Sequence, residues 1–585
     1  MFKHNNQLPL ITFEADLSDK QRKALNKTKE HYFNELIYKS INEADYKILY
    51  SEKYSRPNAP INTVVSALIY KEIKGISYDE LMENMLFDLR TKKALGIANL
   101  DEVPFSRATL FNFQNRLSDY QQETDINLIE QTFNKLTNKQ IKALSLKTNI
   151  QRTDSLMIST NIARLSRIRI LIEVLLRLYR KMSSDKLLEE KMNTLLSDYI
   201  KRGSEKYIYN ICSNDFPHEL NKLGEIYYQI NQLLNSVENN IESKEYRNFN
   251  RVYEEQFVIV ENTASPKPNE QLHSGMLQSP DDEEATYNKK RGEENIGYKI
   301  NATETASPDN PLQLIDDIAV VPNNITDNQI LEERIETIKE KTPDIEELHT
   351  DGGYASKPND IKMEELGITQ VTTAIKGRQS VVELTIEQTS QTPETYLVSC
   401  PSQQADSQPT KQRFKVRFNR DQCALCPLKE KCQIHKNNGR YYFKRTDYLK
   451  NKRDKNIKQI PKERRKIRPN IEATMKEIRG KSNGGKLKVR GLFKTTMYAF
   501  TIGIGINFGR IFRHISDIEG NSLFNKLFSV FMQKLLAYIF LLTKIFDEKV
   551  RINKNFKLPI CGLFEQLFSF KKNIRLSEGL NLGGF

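Results

Sequence analysis

The chain has 585 residues, a length that calls for several structural units rather than one core. With 38% hydrophobic and 28% charged residues it has the composition of a globular protein, which excludes a wholly disordered one. The formal net charge is +14, but Lys411 to Arg490 alone holds 27 Lys and Arg against 7 Asp and Glu. The remainder is therefore net acidic, and the excess is a local basic tract of the kind a polyanion such as DNA attracts. A solvated basic surface is the plainer alternative.

The N-terminal segment MFKHNNQLPLITFEADLSDK has no apolar core of signal-peptide length, so no export is expected and the six cysteines are placed in a reducing cytosol. From about Tyr50 to Tyr120 the periodicity is helical. Ser77 and Glu80 make a capping box, opening a helix whose apolar positions Leu81, Met85, Leu86 and Leu89 share a face. A second helix is predicted from Ala108 to Leu117. Short helices of this kind often place one helix in the DNA major groove; a purely structural cap is the equal alternative.

At Ile150 the pattern changes. Ile150, Arg152, Asp154, Leu156 and Ile158 alternate along a predicted central strand. Leucine-rich amphipathic helices follow (168–182 and 187–200), the helical pattern continues intermittently to about Val260, and Glu261 to Pro280 reads as a loop. Strands and a helix then alternate: Gly297 to Thr303, Leu312 to Val321, a helix over Asp327 to Lys341, Glu347 to Thr350, and Ile368 to Ala374. That order implies a mixed α/β sheet with crossover connections. Residues 376–460 are polar, basic and cysteine-bearing and look like an insertion, and helix resumes after Pro469. The apolar run Phe528 to Phe546 carries Gln533, Lys534 and Lys544, and is read as a buried or partner-facing helix rather than a membrane span.

Three acids stand out. Asp351 ends a predicted strand just before a Gly-Gly turn, where α/β sheets place functional groups, although Asp-Gly-Gly turns are common. Asp154 lies inside a predicted central strand, where a charge is rarely buried unless paired or bound to metal; on an edge strand it would simply be solvated. Glu472 falls early in a helix begun at Pro469, sharing a face with Lys476 and Arg479 beside an apolar stripe of Ile471, Met475 and Ile478. An ordinary surface ion-pair pattern would look the same.

Arg-Thr-Asp154-Ser, His-Thr-Asp351-Gly-Gly-Tyr354 and Ile-Glu472-Ala-Thr-Met-Lys, followed by Lys488-Val-Arg490-Gly491-Leu492, resemble in order the blocks of bacterial insertion-sequence DDE transposases with a ribonuclease H-like fold. Gly297-Tyr298-Lys299 resembles that domain's second strand, Ala499 to Ile511 its closing helix, and Arg56 to Leu117 the helical domain that precedes it, so the likeness spans about residues 50–515. Of the family's tyrosine, arginine, glutamate and lysine set around the last acid, Arg468 and Glu472 fit. Arg465 and Arg479 stand where tyrosine and lysine are usual.

The resemblance implies catalysis by Asp154, Asp351 and Glu472, holding two Mg²⁺ or Mn²⁺ ions about 4 Å apart for phosphodiester hydrolysis and strand transfer. Asp154 is expected to bridge the ions. Arg465, Arg468, Lys476, Arg479 and Arg490 are the expected DNA contacts. The partners it implies are terminal inverted repeats and target DNA, engaged by a homodimer in the cytoplasm at the nucleoid, with no membrane. Catalytically silent DNA binding by a transposon-derived protein is the alternative, distinguished by metal-dependent nicking; a stand-alone nuclease would cleave without joining strands.

Cys400, Cys423, Cys426 and Cys432, with a C-x₂-C centre, match a tetrahedral structural Zn²⁺ site, although the outer spacings are irregular; unliganded surface thiols are the alternative. Cys212 and Cys561 are expected to pack as small hydrophobes. The expected organisation is an N-terminal helical DNA-binding domain (1–135) and a ribonuclease H-like catalytic domain in two parts (140–375 and 461–515). A helical insertion (about 165–260), the zinc-binding insertion (376–460) and a C-terminal helical tail (516–585) complete it.

Overall fold

The computed structural model describes residues 1–5, 12–52, 57–184, 189–235, 243–260, 262–290, 292–373, 381–482 and 484–517. Residues 1–514 form one compact unit and 515–585 a second, of which 515–517 are described. The expected helix over 528–546 and Cys561 thus lie outside the described residues. Among the described residues no helix is long and apolar enough to cross a membrane.

The chain opens with α1 (Asp19–Leu25), α2 (Lys29–Leu36), α3 (Ile61–Lys74), α4 (Tyr78–Phe87), α5 (Leu89–Ala94), α6 (Arg107–Thr124) and α7 (Leu128–Ala143). The Ser77 capping box forms, with Ser77 N–H donating to Glu80 at 2.6 Å and Glu80 N–H to Ser77 Oγ at 3.1 Å. The expected four-residue apolar face does not. Leu81 and Met85 are buried, but Leu86 is 45% exposed, and Asp88 caps a new helix that begins at Leu89.

The central sheet contains β1 (Ile150–Ser159), and the helical insertion follows it: α8 (Arg167–Ser184), α9 (Glu189–Tyr209), α10 (Phe216–Asn235) and α11 (Lys244–Gln256). Its core consists of residues between Ile168 and Leu277. Beyond α11 the sequence reading needs correction: 257–260 is not helix and 261–280 is not all loop. The β-branched run Val258-Ile-Val260 forms β2 (Phe257–Val260), which pairs antiparallel with β3 (Thr263–Pro266). Cys212 is exposed rather than packed.

The sheet continues with β4 (Thr286–Lys290), β5 (Glu293–Thr305), β6 (Ile315–Pro322), then α12 (Asp327–Lys341), β7 (Glu347–Thr350), α13 (Lys357–Glu365) and β8 (Thr369–Thr372). Strand order is β4-β5-β1-β7-β8, with β6 also on β5. β5 runs antiparallel to β1 and β6, whereas β1, β7 and β8 are mutually parallel, so the sheet is mixed as expected. Gly297 makes this register possible, because a Cβ there would lie 2.3 Å from the Ile158 carbonyl oxygen.

Residues 385–443 build a separate antiparallel sheet from β9 (Thr385–Gln391), β10 (Glu394–Cys400), β11 (Gln403–Pro409), β12 (Phe414–Arg417) and β13 (Arg440–Phe443), with strand order β13-β12-β11-β10-β9. Its helices are α14 (Arg420–Leu425), α15 (Gln433–Lys436) and α16 (Arg445–Gln459). The chain returns through α17 (Lys462–Arg465) and α18 (Ile471–Gly480) to α19 (Leu492–Asp517).

Candidate active site

The alternation read for β1 puts Asp154 on a central strand of the sheet, opposite Ala302 of β5 and just beyond the last pair with β7, Arg152–His349, with its side chain 14% exposed. A carboxylate so placed loses hydration and needs donors. Asp154 Oδ1 accepts from the Ser155 backbone N–H at 2.8 Å, and Oδ2 accepts from Arg468 Nη2 at 2.8 Å. The same guanidinium donates through Nη1 to Glu472 Oε1 at 3.1 Å. Arg468 thus brings together two acids 318 positions apart in sequence.

Asp351 follows β7, the parallel neighbour of β1, and accepts from Gly353 N–H at 2.6 Å, closing the turn Gly352–Tyr354. Burial pushes the Asp154 carboxyl above the usual range; Arg468 and the Ser155 N–H pull it down, and the negative charges of Asp351 and Asp327 push it up again. Asp351 is therefore near enough for its charge to act on Asp154.

Asp327 was missed in the sequence, where it reads as an ordinary acid in the first turn of a helix. Its Oδ1 accepts from Ser155 Oγ at 2.7 Å and from the buried Lys299 ammonium at 2.9 Å. A Cβ on Gly353 would sit 2.7 Å from Asp351 Oδ1 and 3.2 Å from Asp327 Oδ2, so the glycine is what lets both carboxylates approach this turn. Asn301 donates to the Asp154 carbonyl at 3.2 Å and to the phenol oxygen of the fully buried Tyr354 at 2.6 Å. A detectable signal was the run of polar residues at alternate positions of β5, Lys299, Asn301 and Thr303, on a strand otherwise buried.

The Glu472 helix is held by a second layer. Glu304 on β5, fully buried, accepts from Arg152 Nε at 2.6 Å, Arg510 Nη1 at 2.6 Å and Thr474 Oγ1 at 2.8 Å. Arg152 also donates to the Ile467 carbonyl at 3.0 Å, and Arg510 to Glu477 at 2.8 Å. As predicted, Ile471, Met475 and Ile478 are buried, while Glu472, Lys476 and Arg479 are exposed together on the adjacent face.

The other expected DNA contacts separate. Arg479 lines a cleft with Arg164 and Lys486 at the end of β1. Arg490 donates to the Asn161 carbonyl at 2.6 Å and pairs with Asp281 at 3.4 Å. The side chain of Arg465 lies outside the described ones. Much of the basic tract is also paired: Lys452 with Glu364 at 2.7 Å, Lys455 with Glu387 at 2.6 Å, Arg453 with Asp360 and Lys458 with Glu383.

Cys400, Cys423, Cys426 and Cys432 line one small cavity in the insertion with His435. Burial pushes the Cys423 thiol up, and the charges of Cys432, Cys400 and Cys426 push it further, against a hydrogen bond from Gln403 that lowers it. Cys426 is pulled down by a hydrogen bond from Ser402. Among the described residues no group of three or more His, Cys, Asp or Glu side chains is set to hold a metal ion as it stands. The donor chemistry nonetheless fits two different metals. Asp154, Asp351 and Glu472 offer hard oxygen ligands, and the four cysteines that line the insertion's cavity offer soft sulfur ligands.

A family model described as a transposase DDE domain matches residues 393–512, a span that includes the four cysteines and Glu472 but neither Asp154 nor Asp351. A second, described as a transposase domain (DUF772), matches residues 20–116, from α1 into α6. No curated protein and no solved structure matches the chain.

Proposed function

We propose, on the premise that these two matches support a DDE-type insertion-sequence transposase, that the chain cuts and joins DNA at the ends of its element through Asp154, Asp351 and Glu472. The observation that carries this reading is Arg468 holding Asp154 and Glu472 on one guanidinium while the charge of Asp351 acts on Asp154. A sheet in the order β6-β5-β1-β7-β8 with β5 reversed supports a ribonuclease H-like core.

Asp154, Asp351 and Glu472 would hold two divalent ions, Mg²⁺ or Mn²⁺, which when bound activate the attacking oxygen and stabilise the leaving one. A water oxygen attacks phosphorus, the bond to the 3′ oxygen breaks, and that oxygen leaves as a hydroxyl after taking a proton. The freed hydroxyl then attacks a phosphorus of target DNA in the same way. Asn301 and Tyr354 fix the backbone at Asp154, and the Glu304 network fixes the helix that presents Glu472. Lys476 and Arg479 offset phosphate charge on the exposed face. Two element ends must be joined, so a dimer on DNA is the expected assembly, with the N-terminal helices reading the terminal inverted repeats.

Strand cleavage and transfer on duplexes bearing the element's ends, with Mg²⁺, tests the assignment. Asp154→Ala, Asp351→Ala and Glu472→Ala should each remove activity by several orders of magnitude while leaving DNA binding in place. Wild-type turnover by Asp154→Ala would refute it.

The insertion is proposed to hold one structural Zn²⁺ through Cys400, Cys423, Cys426 and Cys432, adding to the stability of its own hydrophobic core. Elemental analysis of the purified chain should find about one zinc per chain, and Cys423→Ser with Cys426→Ser should lose it and lower the unfolding temperature. Metal-free protein with four freely reactive thiols would exclude the site.

A further inference from the structure

Alternation along two neighbouring strands sorts the insertion's bases onto one face. In Arg413-Phe-Lys415-Val-Arg417 every second residue is basic, and β12 pairs with β13 so that Lys415 faces Tyr442 and Arg417 faces Arg440. Phe414, Val416, Tyr441 and Phe443 point the other way and pack into the insertion's core. Arg413 sits over the Tyr442 ring, its guanidinium carbon 4.3 Å from the centroid. Arg417 and Arg440 are exposed and Lys415 is half-buried, and among the described residues none of these four bases is in an ion pair. Asp406, the nearby acid on the same face of β11, is exposed and pairs with none of them.

This separates the face from α16, whose Lys452, Arg453, Lys455 and Lys458 are spent on acids of α13 and of the segment 383–387. Charges on an edge strand can serve only to discourage strand pairing, and that accounts for Arg440 on β13. It does not account for Arg413, Lys415 and Arg417, which belong to β12 and the turn before it, one strand in. Bases two residues apart on a strand stand about 6.8 Å from each other, within one Debye length at physiological salt. Their mutual repulsion is relieved by a polyanion.

We propose that the outer face of β12 and β13 is a sequence-independent contact surface for the phosphodiester backbone of duplex DNA. The Tyr442 ring holds the Arg413 guanidinium in place, where it can donate two parallel hydrogen bonds to one phosphate. The proposal rests on the transposase reading for its partner and adds to it the surface by which the insertion grips DNA.

The test is anisotropy titration of a labelled duplex lacking any element end, using the full chain over a range of salt. Replacing Lys415, Arg417 and Arg440 together by alanine should lower the slope of log affinity against log salt by about 3, with affinity at physiological salt falling roughly tenfold or more. Arg413→Lys, which keeps the charge but loses the stacked fork, should weaken binding with the slope unchanged. Lys452→Ala with Lys455→Ala should have a much smaller effect. Wild-type affinity and slope in the triple variant, with DNA bound normally by the parent, would overturn the face and leave the transposase reading intact. Equal losses in the α16 pair would also overturn it, since charge anywhere on the insertion would then suffice. Failure of the parent to bind any duplex would remove the transposase reading itself.

Discussion

Adjacent aspartates of β6 have opposite environments. Asp317 is fully buried, yet Arg334 and Lys341 overcome its burial and hold its carboxyl below the usual range. Asp316 sits where the β5–β6 register slips, between the pairs Thr303–Asp317 and Glu304–Ile315. Neither of its oxygens accepts a hydrogen bond from another residue. Burial, reinforced by the charge of Asp317 and only partly offset by Lys341, pushes its carboxyl well above the usual range. The folded protein then binds that proton more tightly than the unfolded chain does. Stability from this group is complete below the ordinary carboxylate pKa and is lost as pH rises through the raised folded value. Asp316→Asn should therefore unfold at a higher temperature than the parent at neutral and alkaline pH, with the difference shrinking under acid. Parallel stability curves for the two proteins across pH would contradict this account.

At the scale of elements, the position of Glu472 depends on the fastening of α18. Glu304 is the single acid joining Arg152 of β1, Arg510 of α19 and Thr474 of α18. Removing one member of a buried ionic network leaves its partners uncompensated, which costs about 3 to 5 kcal/mol. Glu304→Ala should lose about that much in denaturant unfolding and should reduce cleavage as well; a loss below about 1 kcal/mol would mean that the network does not hold the helix.

The two sides of α18, the alternation of β1 and the bounds of α12 were legible because each depends on local periodicity. Asp327 was not, since its significance arises from Ser155, Lys299 and the Gly353 turn, all distant in sequence. Strands β9 to β13 were read only as a polar insertion, because Gln, Ser, Thr and Lys on their outer face dilute the apolar alternation. The engagement of Arg490 by the Asn161 carbonyl and Asp281 was not legible either, because both partners belong to another part of the chain.

Over the whole unit, the two ends of residues 1–514 are packed on each other. Phe133 of α7 lies 5.5 Å from Phe500 of α19, and Phe33 of α2 lies 5.5 Å from Phe508, centroid to centroid. Asn507, fully buried, bonds both the N–H and the carbonyl of Ile315, at 2.8 and 2.7 Å, and reaches Thr137 at 3.3 Å. Lys481 and Lys488, flanking the loop after α18, donate to the carbonyls of Ile73 and Gly75 at the end of α3. The N-terminal helices thus touch both the sheet and the segment that follows the Glu472 helix. The α8–α11 insertion is different, because its apolar core is drawn from its own helices, the β2–β3 hairpin and Leu277, and β5 is long enough to pair with both β4 and β6 on one edge. Lengthening, trimming or exchanging those four helices would leave the sheet's own packing complete. Evolution can therefore reshape that lobe, and whatever it reaches, without disturbing the carboxylates that the sheet and α18 hold.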